Sequence, residues 1–328
     1  MSILVTGGAG YIGCHVVKEL LAQGKAVVVL DDLSKGHRES VPASVLVVGS
    51  CGDRAVVRRL VRERGVDAVM HLAANSLVGE SMVDPAKYCR SNVVDSVALL
   101  EVCREEGVRR FVFSSTAAVY GEPVAVPIAE DHPLVPVNVY GATKLMFEQM
   151  LEWYDRAYGM RYVSLRYFNA AGADESGEIG EDHDPETHLI PIVLQAALGK
   201  REKVTVFGDD YPTPDGTCVR DYIHVTDLAQ AHILALDALE SGGGSAVYNL
   251  GNEQGHSVRE VIDVARRVTG VDIPFAVGPR REGDPAVLVA SSARIQRELG
   301  WRPRFGELEV IVGSGWRWHS SGGFGTQR

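Results

Sequence analysis

The sequence is short of the features that mark several large classes of protein. Its five cysteines, Cys14, Cys51, Cys89, Cys103 and Cys218, make no C-x-x-C pair and no metal-ligand spacing. That excludes a disulfide scaffold and suits reduced thiols in a cytosol. Positive charge is in deficit, with 33 Lys and Arg against 43 Asp and Glu and a net charge of −10, so the chain as a whole repels nucleic acid and anionic membranes. No apolar run reaches the roughly 18 residues of a membrane span, and the first residues read as a strand and a turn rather than a targeting segment. Solenoid periods and low-complexity tracts are also lacking. What is present is ordinary globular material, 45% hydrophobic and 23% charged over 328 residues, enough to bury a full core. These features predict a soluble, cytoplasmic protein with no nucleic-acid or membrane partner.

Short apolar runs alternate with stretches of helical spacing. Residues 3–5 read as a buried strand, residues 6–13 turn into a helix reaching about Gln23, and residues 26–30 form a second apolar run closing on Asp31 and Asp32. Residues 45–48, a helix over 54–64, residues 67–72, a helix over 92–105, a strand at Phe111, a helix from Tyr140 and residues 162–165 continue the pattern. Such alternation predicts an α/β fold on a doubly wound parallel sheet. After Arg166 the character changes, with Gly, Asp and Glu concentrated in 172–186 and turn formers in 208–216. We expect a Rossmann-like domain over 1–168, rejoined by about 219–250, and a smaller mixed α/β domain from 169–218 and 251–328. Helices are expected at 257–268, 291–299 and 308–318, the last weakened by Gly313 and Gly315, with a frayed tail from Ser320. Trp301, Trp316 and Trp318 are expected in packing roles.

Two stretches concern chemistry. Gly7, Gly10 and Gly13 follow a strand and open a helix, the context in which glycines let a pyrophosphate approach free N–H groups and the positive end of the helix dipole. Asp31, ending the second strand, can accept from both adenosine ribose hydroxyls and would repel a 2′-phosphate, which favours NAD over NADP. Asp53, after the third strand, can reach an adenine edge or cap the helix that follows. The second stretch runs over 111–144. An apolar strand delivers Ser114, Ser115 and Thr116, and Tyr140 and Lys144, four apart, share one helix face. A hydroxyl, a phenol and an ammonium at a strand end can move a proton at a carbon bearing oxygen. His71, following an apolar strand, reads as a structural histidine, and His183 and His188 are not expected to hold a metal.

T-G-G-A-G-Y-I-G at 6–13, H-L-A-A-N-S-L-V-G-E-S at 71–81, S-S-T-A-A-V-Y-G at 114–121, Y-G-A-T-K at 140–144, R-Y-F-N-A-A-G-A at 166–173, the long block at 207–225 and R-R-E-G-D-P at 280–285 together resemble the UDP-glucose 4-epimerases of the extended short-chain dehydrogenase/reductase superfamily. The resemblance weakens only after about Arg304. It implies a tightly bound NAD, interconversion of UDP-glucose and UDP-galactose, and a homodimer built from helices of the large domain. It makes Tyr140 the base, Lys144 its electrostatic partner and Thr116 the hydroxyl that holds the reacting oxygen. Tyr11, Ile12, Asp31, Asp32, Leu33, Ser34, Asp53, Leu72, Ala73, Ala74, Ser76, Ser91 and Phe168 match cofactor contacts, together with the glycines and the trio. Asn169, His188, Leu189, Thr205, Val206, Phe207, Arg220, Arg281, Asp284 and Leu288 fall where the family holds the UDP-sugar. Ser76 stands where some members have lysine and Ser91 where many have asparagine. Leu288 occupies a position that is tyrosine in members restricted to glucose and galactose, and small in members that also take N-acetylated sugars.

Inverting a secondary alcohol needs oxidation first, because the C4–H is not acidic until that carbon is a ketone. NAD supplies the oxidation. The phenol must then work as phenolate, so its pKa is expected to fall from about 10 under the influence of Lys144 and the nicotinamide. Arg220 and Arg281 suit a diphosphate through their fork geometry, and Asn169 can donate an amide hydrogen bond. A sugar-nucleotide 4,6-dehydratase would share fold, cofactor and Tyr-Lys pair. Relatives of that type carry Asp-Glu directly after the strand-end threonine, where this chain has Ala117 and Ala118. UDP-sugar 4-epimerases for N-acetylhexosamine or glucuronate, and a non-catalytic NAD-binding regulator, are the other readings.

Overall fold

The computed structural model describes residues 1–281 and 283–326. Strand β1 (Ser2–Thr6), buried throughout, turns through the glycines into α1 (Tyr11–Ala22), and β2 (Ala26–Asp31), β3 (Leu46–Val48), α2 (Arg54–Arg64) and β4 (Val66–His71) continue the alternation. Then come α3 (Val78–Val83), α4 (Pro85–Cys89), one wide π turn at Arg90–Val94 and α5 (Asp95–Glu105), followed by β5 (Arg110–Thr116), α6 (Val139–Tyr158) and β6 (Arg161–Tyr167). Helix therefore starts before residue 92. Asp84 caps α4 by accepting from Lys87 N at 3.1 Å, Pro85 presets the first helical φ, and the π turn absorbs an extra residue so that Asn92 faces inward.

Beyond β6 the order is β7 (Asn169–Ala171), α7 (Leu189–Ala197), β8 (Val204–Phe207), β9 (Val219–His224), α8 (Val225–Glu240), β10 (Ala246–Leu250), β11 (Gly255–Ser257), α9 (Val258–Thr269), β12 (Phe275–Gly278), β13 (Val287–Leu288), α10 (Ala293–Leu299) and α11 (Leu308–Ser320). Seven strands pair in parallel in the order β10-β6-β5-β4-β1-β2-β3. The chain reverses direction of progress between β1 and β4, which leaves a crevice at their carboxyl ends. Side chains alternate across each strand. Ile3 and Val5 of β1 join Val16, Leu20 and Leu228 in one buried layer, while Leu4 joins Leu99, Phe111 and Phe147 in the other.

Of the segment expected to rejoin this sheet, α8 packs on β5 and β6, and β10 pairs with β6. β9 does otherwise: it pairs with β7 and β13 in parallel and with β11 antiparallel, forming a second sheet. The six residues V-R-D-Y-I-H can be read as a strand but do not say which strands they pair with. A third core, from α7, α9 and α11, lies beside that sheet and includes Ile190, Leu194, Val261 and Ile311. Helix α11 forms despite its glycines because α7 lies so close: a Cβ on Gly315 would meet Leu194 Cδ1 at 3.1 Å. The tail is not frayed over its described part. Phe324 is 5% exposed, stacked on His37 at 4.7 Å and edge-on to Trp318 at 4.7 Å, and that single aromatic anchors a Gly- and Ser-rich segment.

Candidate active site

The strand-end hydroxyls and helix α6 are fitted to each other residue by residue. Asn138 caps α6 by accepting from Gly141 N at 2.8 Å, which places Tyr140 in the first turn. One turn later Lys144, 3% exposed, donates to Ser114 O at 2.8 Å and lies 4.9 Å from the Phe113 ring centre and 5.9 Å from that of Tyr140. One turn further, Glu148 accepts from Ser115 Oγ and forms a two-pronged ion pair with Arg166, at 3.0 and 2.6 Å. Thr116 Oγ1 accepts from Ala118 N at 3.1 Å and lies near enough to the Tyr140 phenol to favour its ionised form. Residues 140, 144 and 148, one helical row, thus each meet one of residues 116, 114 and 115. Glu148 and Arg166 are both more than nine-tenths buried. Such a pair adds little net stability against its desolvation cost, but breaking it would misplace the row.

Burial governs the titration of this trio. It raises the Tyr140 phenol above its ordinary value, with only the Thr116 hydroxyl working the other way. It pulls the Lys144 ammonium down to about 7, against the attraction of Glu148. The expected fall in the tyrosine pKa is therefore absent from the protein's own groups: Lys144 is turned toward Ser114 O and is itself partly discharged. His71 is structural, with Thr6 Oγ1 at 2.7 Å from Nδ1 and Ser96 Oγ at 2.8 Å from Nε2, and burial lowers it to about 3.

At the crevice, α1 begins at Gly10 with no side chain capping it, so its first N–H groups stay available. Gly7 has φ +70° and lies against the backbone of Leu72 and Ala73, where a Cβ would come within 2.8 Å. A Cβ on Gly13 would sit 2.1 Å from Gly7 O. Gly13→Ala is accordingly expected to push α1 away from the turn, abolishing retention of dinucleotide and lowering the unfolding midpoint by several degrees, as read by cofactor content and thermal melting.

Asp31 is buried and accepts from Ala9 N and Leu33 N, both at 2.9 Å. Burial raises its pKa, and those two N–H groups oppose the rise. Each carboxylate oxygen keeps a lone pair for a ribose hydroxyl. Leu33 adopts φ 60°, and Asp32 is exposed and bonded to Ser34. Asp53 caps α2, accepting from Ala55 N at 3.0 Å and Val56 N at 3.2 Å through one oxygen. Beyond β4, Leu72 N donates to Thr6 O, Ala73 and Ala74 are half-buried, and Ser76 is exposed. Sequence reading passed over Asn92. Its amide accepts from Asn75 N at 2.9 Å and donates to Asn75 O at 3.0 Å and Thr143 Oγ1 at 3.2 Å, tying the β4 loop to α6, while its neighbour Ser91 bonds the Asn75 side chain.

Tyr11 reaches across the molecule to donate to Gly172 O at 2.6 Å, and Ile12 packs on the α1 core. The second sheet brings Asn169 on β7, Arg220 on β9 and Leu288 on β13 together, with Leu288 in register with Arg220. Leu288 and Phe168 pack on one small cluster with Val119 and Leu145. Asn169 already donates its amide to Asp221 O at 3.1 Å. Arg220 is ion-paired with Asp284 and also donates to Val219 O at 2.7 Å, so it is a held cation rather than a free fork. Arg281 has no carboxylate partner among the described residues and lies 3.9 Å over the Phe207 ring. On β8 Thr205 is exposed, whereas the Val206 side chain belongs to the third core. His188 precedes Leu189 at the uncapped start of α7. Burial works against its imidazolium, but the adjoining Glu181 carboxylate lifts it to about 9.

The model of the NAD dependent epimerase/dehydratase family matches residues 3–251. The chain belongs to this family. It is similar to the UDP-glucose 4-epimerase of Halalkalibacterium halodurans, 55% identical over 319 residues that cover 97% of this chain and 96% of that one. Among solved structures it is similar to UDP-glucose 4-epimerase from Brucella ovis in complex with NAD, at 47% identity, 96% and 98% coverage and a TM-score of 0.94. The Bifidobacterium longum enzyme in complex with NAD+ and UDP has 38% identity, 98% and 99% coverage and a TM-score of 0.93. The family's name spans two reactions, and the turn that follows Thr116 is where the sequence led us to look for carboxylates. In this epimerase/dehydratase chain it is a tight 3₁₀ turn, Ala117–Val119, pressed on α6 so that a Cβ on Gly141 would lie 2.4 Å from Ala118 O. It brings no acid or base to the trio.

Proposed function

We propose that the chain catalyses the reversible, NAD-dependent C4 epimerisation of UDP-glucose and UDP-galactose. The observation that supports this best is a hydroxyl, a phenol and an ammonium gathered at one strand end with two alanines where elimination would need carboxylates. The uncapped, glycine-opened start of α1 and the inward carboxylate of Asp31 fit the pyrophosphate and ribose of a dinucleotide. NAD, held by the start of α1 and Asp31, would supply reversible hydride exchange at C4. Tyr140 accepts the O4 proton as C4 is oxidised and gives it back on reduction. Thr116 holds the same oxygen, and Lys144 supplies the positive potential that makes a phenolate affordable in a buried site. The UDP carries the binding: the start of α7 at His188 and Leu189, with Arg220 and Arg281, would face its phosphates, and Asn169 and Phe207 would flank it.

The cofactor unit is 1–168 with α8 and β10, the remainder forming the smaller sugar-nucleotide unit. No helix among the described residues is long and apolar enough to cross a membrane, and a cytosolic location suits the five unbridged cysteines, four of them buried. Association as a homodimer through the large unit is supported by its exposed apolar side chains, Met82, Val83, Val94, Met146 and Trp153, on α3, the π turn and α6.

The reading is tested by incubating the purified chain with UDP-galactose. UDP-glucose should accumulate to equilibrium, whereas a stable 4-keto-6-deoxy product would overturn it in favour of a dehydratase. Leu288 gives a second measurement. Its side chain packs on the same cluster as Phe168, and Leu288→Ala is expected to raise kcat/KM for the N-acetylated pair about tenfold relative to the glucose pair. A parent enzyme that prefers N-acetylated sugars would identify the substrate differently.

A further inference from the structure

The loop leading into α7 gathers four metal-ligating side chains that the proposed reaction does not use as a set. One donor atom from each of Glu181, His183, Glu186 and His188 lies within 4.8 Å of every other. His183 Nδ1 is 3.1 Å from Glu181 Oε1 and 3.9 Å from Glu186 Oε2, and His188 Nδ1 is 3.6 Å from Glu186 Oε1 and hydrogen-bonded to Glu181. The two carboxylate side chains are each only 3% exposed and face one another. Glu186 Oε1 takes its own backbone donors, Thr187 N at 2.7 Å and His188 N at 2.8 Å, while Oε2 accepts no hydrogen bond among the described residues. The two buried carboxylates are held by the two imidazoles, so that a bound ion would take over a compensating role these rings already fill.

The backbone around the four donors is fixed from outside. Trp318 Nε1 donates to Glu181 O at 2.8 Å, a Cβ on Gly180 would be 2.5 Å from the Trp318 ring, and His37 Nε2 pairs with Asp182 O at 2.8 Å. A cavity of about 70 Å³ lined by His183, Glu186, Trp318 and His319 adjoins two of the four donors. Sequence spacing alone argued for no metal, because E-x-H-x-x-E-x-H matches no common ligand motif and only the folded loop turns all four inward.

We propose that Glu181, His183, Glu186 and His188 form a structural zinc site. Two imidazole nitrogens and two carboxylate oxygens suit tetrahedral zinc, whereas magnesium and calcium favour oxygen donors alone. The two carboxylates balance the ion's charge, and the proton between Glu181 and His188 leaves as it binds. The site ties the 174–188 segment to the cofactor-side loop through His37 and to the start of α7, so it braces the frame of the sugar-nucleotide site without touching the reacting carbon.

Untagged full-length chain, purified without chelator, should contain one zinc ion per chain by elemental analysis, and cobalt exchanged into it should give the strong visible bands of a tetrahedral site. Stripping the ion should lower the unfolding midpoint by roughly 5 °C, restored by zinc and not by magnesium. His183→Gln, at a partly exposed position, should fold, lose the ion and show a midpoint indifferent to chelator. Failure of the parent chain to retain or take up zinc or cobalt at micromolar concentration would overturn the proposal. So would uptake by His183→Gln and Glu186→Gln equal to that of the parent chain.

Discussion

Tyr140→Phe should lower kcat for UDP-galactose by about 10³-fold while leaving the amount of NAD that copurifies unchanged. The substitution removes one oxygen from a side chain whose ring stays packed, so the glycine turn and the row behind it are undisturbed. Transfer of the O4 proton then has no acceptor within reach, a loss on the order of 4 kcal/mol in the barrier. Product formation followed by proton NMR or coupled oxidation of glucose nucleotide measures the rate, and the absorbance of NAD released on denaturation measures the cofactor. A rate within tenfold of the parent would move the base elsewhere. A lost rate together with lost NAD would indicate damage to the fold rather than to the chemistry.

Lys144→Met should do two opposite things, abolishing most turnover and making the protein more stable in neutral and mildly acidic solution. The lysine is drawn down to about 7 in the fold against about 10.4 in an unfolded chain. Below pH 7 it is charged in both states, and the fold bears the whole cost of burying that charge. Between pH 7 and about 10.4 the folded protein sheds the proton first and the cost fades; above that it is gone. Methionine has similar length and no charge, so the variant should gain a few kcal/mol at pH 6, less about 1 kcal/mol for the lost bond to Ser114 O. Thermal midpoints of variant and parent at equal cofactor loading should converge as pH rises from 6 to 10. A difference that does not change with pH would refute the buried-charge account.

Much of this was legible from residue order alone. The parallel sheet could be read because its strands are continuous apolar runs and its helices have helical spacing, and the trio because 140 and 144 share a helix face whatever the tertiary setting. What could not be read depended on partners distant in sequence. β9 looks like any buried strand, and its place in the second sheet is decided by β7, β11 and β13. The Arg220–Asp284 pair spans 64 residues, so a side chain that read as a free diphosphate fork is already engaged. The burial that raises the Tyr140 phenol in the chain alone could not be read, because sequence shows a lysine nearby and does not show how deeply both lie. Phe324 looked like part of a loose tail until Trp318 and His37 were seen to enclose it.

The row on α6 that meets residues 114–116 one by one has a consequence for how the enzyme fails. No mobile lid or loop supplies any of the three reacting side chains; all sit on one strand and one long helix of the main sheet. The site therefore has no private melting transition. Heat inactivation and global unfolding should follow a single curve, and selection for a more heat-resistant catalyst can act only by strengthening the strand–helix contact that every copy of the fold already needs.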